Sequence, residues 1–578
     1  MLITLQSLPI RQLKLLTGGG LLLLSACATK VELPPDARRV APPPAVAVPV
    51  RPGQTPAQTA DAQAAAASAG GVASPATQVG PVHLPKPYGD AVAARFPEPV
   101  GRVQTPAFEP GRTDLSSNDE VNALLRSLVR DGRQTRFGTT VRMHRAGVSE
   151  SGEAIEALVI TRSGDASAAA LASGARPTVM LVGGQHGNEP ASAEAMLEVA
   201  QQLVAGPLEG FLDRVNVILL PRANPDGARL KQRANARGID INRDHLLLQS
   251  AEARAIARLV TDFQPAVFVD AHEYTVLGHY WDRLGGIHRH DALLQVASAA
   301  NIAPFITRAA EEWFRQPLVA HLAREGYSSE SYHLLVGNAP ELRVAMGSVR
   351  ADVARNVYGL KNTVTVLLES RGLDLGRVHF KRRVMTQVAA VASVLRSTHN
   401  HAGDLLKVRQ FVDAEVAALA CTGLAVLDVA MTPKPYTLMT LDANTGVDRA
   451  VAVTFESAYE LRPLRSRARP CGYWLAADQT LAVERLRAHG VRVREVMEKG
   501  VMLGDIYAQS APAAAGAPAS FDISPALIDM PEGSFYVSLE QPTAHLVIAA
   551  LEPDLRTSYL ANGVVTALDK VRRIMQRY

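Results

Sequence analysis

The chain has 578 residues, 47% hydrophobic and 20% charged, with a formal net charge of +4. That is a globular balance. Acids and bases are interspersed along it, so charge does not point to a nucleic-acid binder.

At the amino terminus, Arg11 and Lys14 precede the apolar run Leu15 to Leu24. A membrane span needs about 20 apolar residues, so the run is too short for one. A basic start, a short apolar core and the small residues of Leu24-Ser25-Ala26-Cys27 describe a secretory signal. Leu-Ser-Ala-Cys resembles the bacterial lipobox, in which cleavage precedes the cysteine and the cysteine is lipidated. The expectation is a signal peptide over 1–27, a lipid anchor at Cys27 and a location on the bacterial outer membrane, facing the periplasm; Ala28 is not the aspartate that marks inner-membrane retention. Residues 28–106 are rich in Ala, Pro, Val, Gly and Gln. Such a stretch buries too little apolar surface to offset its ordering entropy, and it reads as a disordered tether. The remainder divides into a catalytic region, 107–404, and a β-rich accessory region, 405–578.

The chemistry lies between residues 178 and 372. Val179 to Val182 reads as a buried strand, Gly183-Gly184 ends it, and Pro190 sits where the first turn of a helix tolerates proline. His186 and Glu189 therefore lie on a strand-to-helix loop, three residues apart, able to aim at one point. Nitrogen and oxygen donors suit zinc. Val215 to Leu220 is a second strand, followed by turn formers and then by Arg233-Ala-Asn-Ala-Arg237-Gly-Ile-Asp240-Ile-Asn242-Arg243. Guanidinium is suited to bidentate capture of a carboxylate, although the same loop also reads as a solvated basic surface. Ala266 to Val269 is a third strand leading to His272, and Thr363 to Leu368 a fourth leading to Glu369. A carboxylate at the end of an apolar run is desolvated, as a general base requires.

These motifs together resemble the zinc carboxypeptidase family, the carboxypeptidase A-like metallopeptidases. The resemblance implies an α/β fold with a mixed, mostly parallel sheet flanked by helices. It also implies one Zn2+ per chain held by His186, Glu189 and His272. Glu369 becomes the general base, Arg233 the donor that polarises the scissile carbonyl, and Asn242 and Arg243 the holders of the terminal carboxylate. Asp240 becomes the partner that orients a zinc histidine. Tyr327, Tyr332 and Tyr358 are all candidates for the family's active-site tyrosine. Asn188 and Glu273 depart from the carboxypeptidase A branch. His-Gly-Asn-Glu also resembles the aspartoacylase and succinylglutamate desuccinylase branch, which hydrolyses N-acyl amino acids.

Elsewhere the readings are plainer. His288-Arg-His290 reads as a solvated loop, and Cys421 and Cys471 leave their pairing open. Leu424 to Val429, Phe535 to Leu539 and Leu546 to Ala550 read as strands, and Thr480 to Gly490 and Leu560 to Tyr578 as helices. Three functions compete: an exopeptidase acting on periplasmic or peptidoglycan-derived peptides, a zinc deacylase or amidase, and a tethered binding protein on a dead scaffold. The intact set of His186, Glu189, His272 and Glu369 favours an enzyme over the third.

Overall fold

The computed structural model describes residues 88–132, 138–337, 341–373, 375–510 and 520–578. The signal segment, Cys27 and the tether up to residue 87 lie outside the described residues. From residue 88 onward the supposed tether is packed. Tyr88, Val92 and Phe96 are buried against Val276, Ile287, Leu375 and Leu441. Tyr88 is the first Phe, Trp or Tyr of the sequence, and the burial of Tyr88 and Phe96 gives this segment apolar contacts.

The core of the catalytic region is an eight-stranded sheet. Its strands in chain order are β1 (Thr140–Val148), β2 (Ala154–Thr161), β3 (Thr178–Val182), β4 (Asn216–Leu220), β5 (Val267–Thr275), β6 (Ala292–Val296), β7 (Ser329–Ser331) and β8 (Val364–Leu373). They lie side by side in the order β1-β2-β4-β3-β5-β8-β6-β7. The central run β4-β3-β5-β8 is parallel throughout. Antiparallel pairing enters where β2 meets β1 and β4, and where β8 meets β6. Every residue of β3 and β4 is buried, as continuous apolar strands covered on both faces must be. Helix α1 (Pro190–Ala205) and helix α4 (Phe380–Asn400) pack against each other beside this sheet. The fold is the mixed α/β architecture the motifs imply.

Two further sheets complete the molecule. A five-stranded sheet takes the long strands Leu424–Leu441 and Asp448–Ala468 and pairs them with Ile287–His288 and Arg343–Ala345. It therefore crosses the boundary expected at 404/405, joining accessory and catalytic segments through hydrogen bonds far apart in sequence. A six-stranded sheet lies wholly within the carboxyl-terminal part. Cys421 and Cys471 are joined in a disulfide.

Two carboxyl-terminal readings are corrected. Leu546 to Ala550 belongs to a helix, Ala544–Leu551, with every residue buried. A helix buried on all sides shows no polar face, so its apolar run mimics a strand. Leu560 to Tyr578 is not helical: it contains a short 3-10 turn and then the strand Val571–Ile574, which pairs with Gly472–Leu475. Tertiary pairing overrides local propensity there.

Candidate active site

β3 delivers the first two side chains. After Val182 the chain turns through Gly183 and Gly184 and enters α1 at Pro190, with Glu189 capping the helix. The turn presses against the short helix Pro225–Leu230. A Cβ on Gly187 would stand 1.9 Å from the backbone carbon of Gly227, so only glycine fits. That contact holds His186 and Glu189 in place.

The third side chain comes from β5. The β5 and β8 strands run further than their apolar segments suggest, so His272 and Glu369 sit within the strands rather than beyond them. His186, Glu189 and His272 are all buried, and each offers a ligand atom within 4.8 Å of the others. The Nδ1 atoms of the two histidines are 3.1 Å apart, and Glu189 oxygens lie 2.7 Å and 2.9 Å from them. The outward nitrogens are held by carboxylates: His186 Nε2 is 3.1 Å from Asp240, and His272 Nε2 is 2.7 Å from Asp270. Each carboxylate draws the ring proton to Nε2 and leaves Nδ1 as a lone-pair donor.

Three such donors converging in a dry site repel one another unless a cation lies among them, so the set fits a divalent metal. The same electrostatics act on protonation. Burial lowers the pKa of His272, but the adjacent Asp270 and Glu189 outweigh it and hold that pKa well above the usual histidine range.

Glu369 stands next to this group. It is directly paired with His272 across β8 and β5, and burial pushes its pKa up to about 8, against the charge of His272. Arg233 reaches the same place: it is ion-paired with Asp240 at 2.9 Å and lies 3.3 Å from Glu189. Asp240 therefore touches both His186 and Arg233.

Asn242 differs from the expectation. Its carboxamide is turned inward, donating to Asp270 at 3.1 Å and accepting from the Ala354 amide at 2.9 Å. It ties the loop to helix α3 (Ala354–Gly359) and is not open to a ligand in this conformation. Arg243 donates to the Asn242 carbonyl, and among the described residues it has no ion pair.

Of the three candidate tyrosines, Tyr332 is the one that interacts electrostatically with Glu369, Arg355, Arg243 and Arg233. Tyr358 is bound to His245, and Tyr327 lies under Arg382.

Residues 129–304 match the family model described as zinc carboxypeptidase. The chain carries a zinc carboxypeptidase domain. The matched span holds the metal set, Arg233 and Arg243, while Glu369 falls beyond it. Carboxypeptidase 2 of Trichophyton rubrum is 26% identical over 502 residues, covering 82% of this chain and 90% of that protein. Carboxypeptidase SOL1 of Arabidopsis thaliana is 27% identical over 124 residues, covering 19% of this chain and 25% of that protein. Among solved structures, a metallo-carboxypeptidase from Burkholderia cenocepacia gives a TM-score of 0.37 at 16% identity, covering 50% of this chain and 70% of its own. Zinc is the metal that family uses.

Sequence reasoning missed several groups in this zinc carboxypeptidase domain. Asp270 lies two residues before His272 on one strand, hence on the same face; that spacing was a readable signal. Glu273 forms a buried ion pair with Arg383 at 2.6 Å and accepts the Ala191 amide at the start of α1. Nothing local announces Arg383 as its partner. His288 and His290 are buried rather than solvated, and the Tyr280 and His288 ring centroids lie 3.6 Å apart. The strand Ile287–His288 pairs with residues 440–441, a partner invisible to local reading.

Proposed function

We propose that this protein is a metallocarboxypeptidase that removes single residues from the carboxyl-terminal ends of peptides, with Glu369 as the general base. One observation carries the reading: a buried carboxylate pushed up to about 8 is paired in register with His272 and interacts electrostatically with Arg233.

His186, Glu189 and His272 would hold the zinc, which would supply a Lewis acid to acidify a water and polarise the scissile carbonyl. Glu369 accepts the proton that the attacking water loses and passes it to the leaving amine nitrogen. Arg233 donates N–H to the carbonyl oxygen as negative charge grows there. Arg243 pairs with the terminal carboxylate, so the substrate is read from its end. Asn242 positions Arg243 through the backbone rather than touching the substrate.

The lipobox-like Leu24-Ser25-Ala26-Cys27 supports anchoring at Cys27 on the outer membrane, and the disulfide between Cys421 and Cys471 supports an oxidising compartment. Periplasmic peptides, including those released from peptidoglycan, are then the natural substrates.

The test uses the chain from residue 28, loaded with zinc and incubated with a mixed peptide pool followed by mass. Ladders losing single terminal residues, absent with Glu369→Gln that still binds zinc, are the expected result. An inert pool with zinc bound, together with hydrolysis of N-acyl amino acids, would replace this reading by the deacylase one.

A further inference from the structure

We propose that Arg355 selects peptides ending in glutamate or aspartate, pairing with the side-chain carboxylate while Arg243 holds the terminal one. This rests on the carboxypeptidase reading above.

Arg355 lies on α3, where every residue is buried, and is itself 3% exposed. Its guanidinium donates from Nη2 to the Ser348 carbonyl at 2.9 Å, and its Nε has no partner. Among the described residues no carboxylate pairs with it. The acids facing it are Asp270 and Asp352, and both are committed elsewhere. Asp270 is bound by Gln185, Asn242 and His272, and Asp352 is ion-paired with Arg350. A buried cation without a counter-charge is strongly unfavourable, so a site that keeps one is built for an anion from outside.

Two of the other buried arginines beside the sheet meet carboxylates, whereas Arg371, whose Nε is also without a partner, lies against an aromatic ring. Arg382 is paired with Asp291, Arg383 with Glu273, and Arg371 lies 3.5 Å from the centroid of the Phe96 ring and donates to the His288 carbonyl.

Arg355 also faces the right space. It interacts electrostatically with Tyr332 and Arg243, and Tyr332 in turn with Glu369 and Arg233. Gly347 leaves room for this arrangement. A Cβ there would stand 2.7 Å from Arg355 Nη2 and 2.8 Å from Tyr332 Cε1. Two interacting arginines without carboxylate partners among the described residues match a substrate end with two carboxylates. A neutral end leaves Arg355 unpaired, and a basic end is repelled.

Peptides differing only in the last residue (Glu, Asp, Gln, Leu or Arg) provide the test. The wild-type enzyme should favour Glu and Asp over Leu by about 100-fold or more in kcat/KM. Arg355→Met should invert the order, losing the rate on Glu and gaining on Leu. Gly347→Ala, which displaces the guanidinium without removing it, should lower the preference part-way. Equal loss on every peptide would assign Arg355 to the terminal carboxylate and overturn the proposal, as would a wild-type enzyme indifferent to the last residue. Calorimetric binding of free L-glutamate and L-leucine to the zinc-loaded Glu369→Gln protein gives a readout without turnover. Glutamate should bind more tightly, and Arg355→Met should abolish the difference. Equal binding by the parent would overturn the proposal even if no peptide were cut; absence of cleavage at every end, by contrast, would count against the carboxypeptidase reading.

Discussion

Glu369 and His272 are directly paired across the parallel strands β8 and β5. Paired residues in a parallel sheet share a face, so the carboxylate that accepts a proton and the ring that holds the metal stand together by strand register alone. A slip of one residue would turn Glu369 to the opposite face.

The pairing sets the protonation of the metal-free site. His272 is held well above the usual histidine range and Glu369 is pushed up to about 8, so both carry protons at neutral pH. Zinc must displace them. With both pKa values raised, the protonated forms dominate below them, and zinc affinity should climb as pH rises toward 8. Calorimetric titration in buffers of different ionisation enthalpy counts the released protons. Glu369→Gln should release about one fewer while still binding zinc.

Asp270 should matter almost as much as a ligand. It holds His272 Nε2 at 2.7 Å and also receives Asn242. Asp270→Asn keeps the shape but weakens the hold on the ring proton. Zinc affinity should fall about 10–100-fold, measured by competition with a chelating dye.

The ion pair behind α1 is a stability element. Arg383 and Glu273 are fully desolvated, and Glu273, raised to about 6 mainly by burial, also caps the Ala191 amide. Arg383→Leu leaves that carboxylate buried without its partner and should cost about 3–5 kcal/mol in chemical denaturation. Adding Glu273→Gln should recover part of the loss.

Acid should destabilise the fold through buried histidines. Burial lowers His245 to about 4 and both His489 and His545 to about 3. In the unfolded chain such rings take up protons near pH 6.5. Below that pH the unfolded state binds more protons than the native one, so stability falls as pH drops from 6.5 toward 4. Melting temperatures across that range should decline steadily; a flat profile would contradict the burial of these rings.

What the amino-acid sequence determined by itself was local. The strand, glycine turn and proline of Val179 to Pro190 placed His186 and Glu189 on one loop, because turn chemistry and apolar runs act over a few residues. His272 and Glu369 could be proposed from the apolar runs before them. Tertiary structure decided everything that depends on a distant partner: the register that sets Glu369 beside His272, the inward turn of Asn242, the burial of His288, and the helix at Ala544–Leu551 that reads as a strand. It also decided which arginines are paired. Arg355, Arg382 and Arg383 look alike in sequence, and only folding shows that two of them meet a carboxylate while the third is buried without one. The physical reason is that burial and counter-charge are properties of the packed environment, set by chain segments tens to hundreds of residues away.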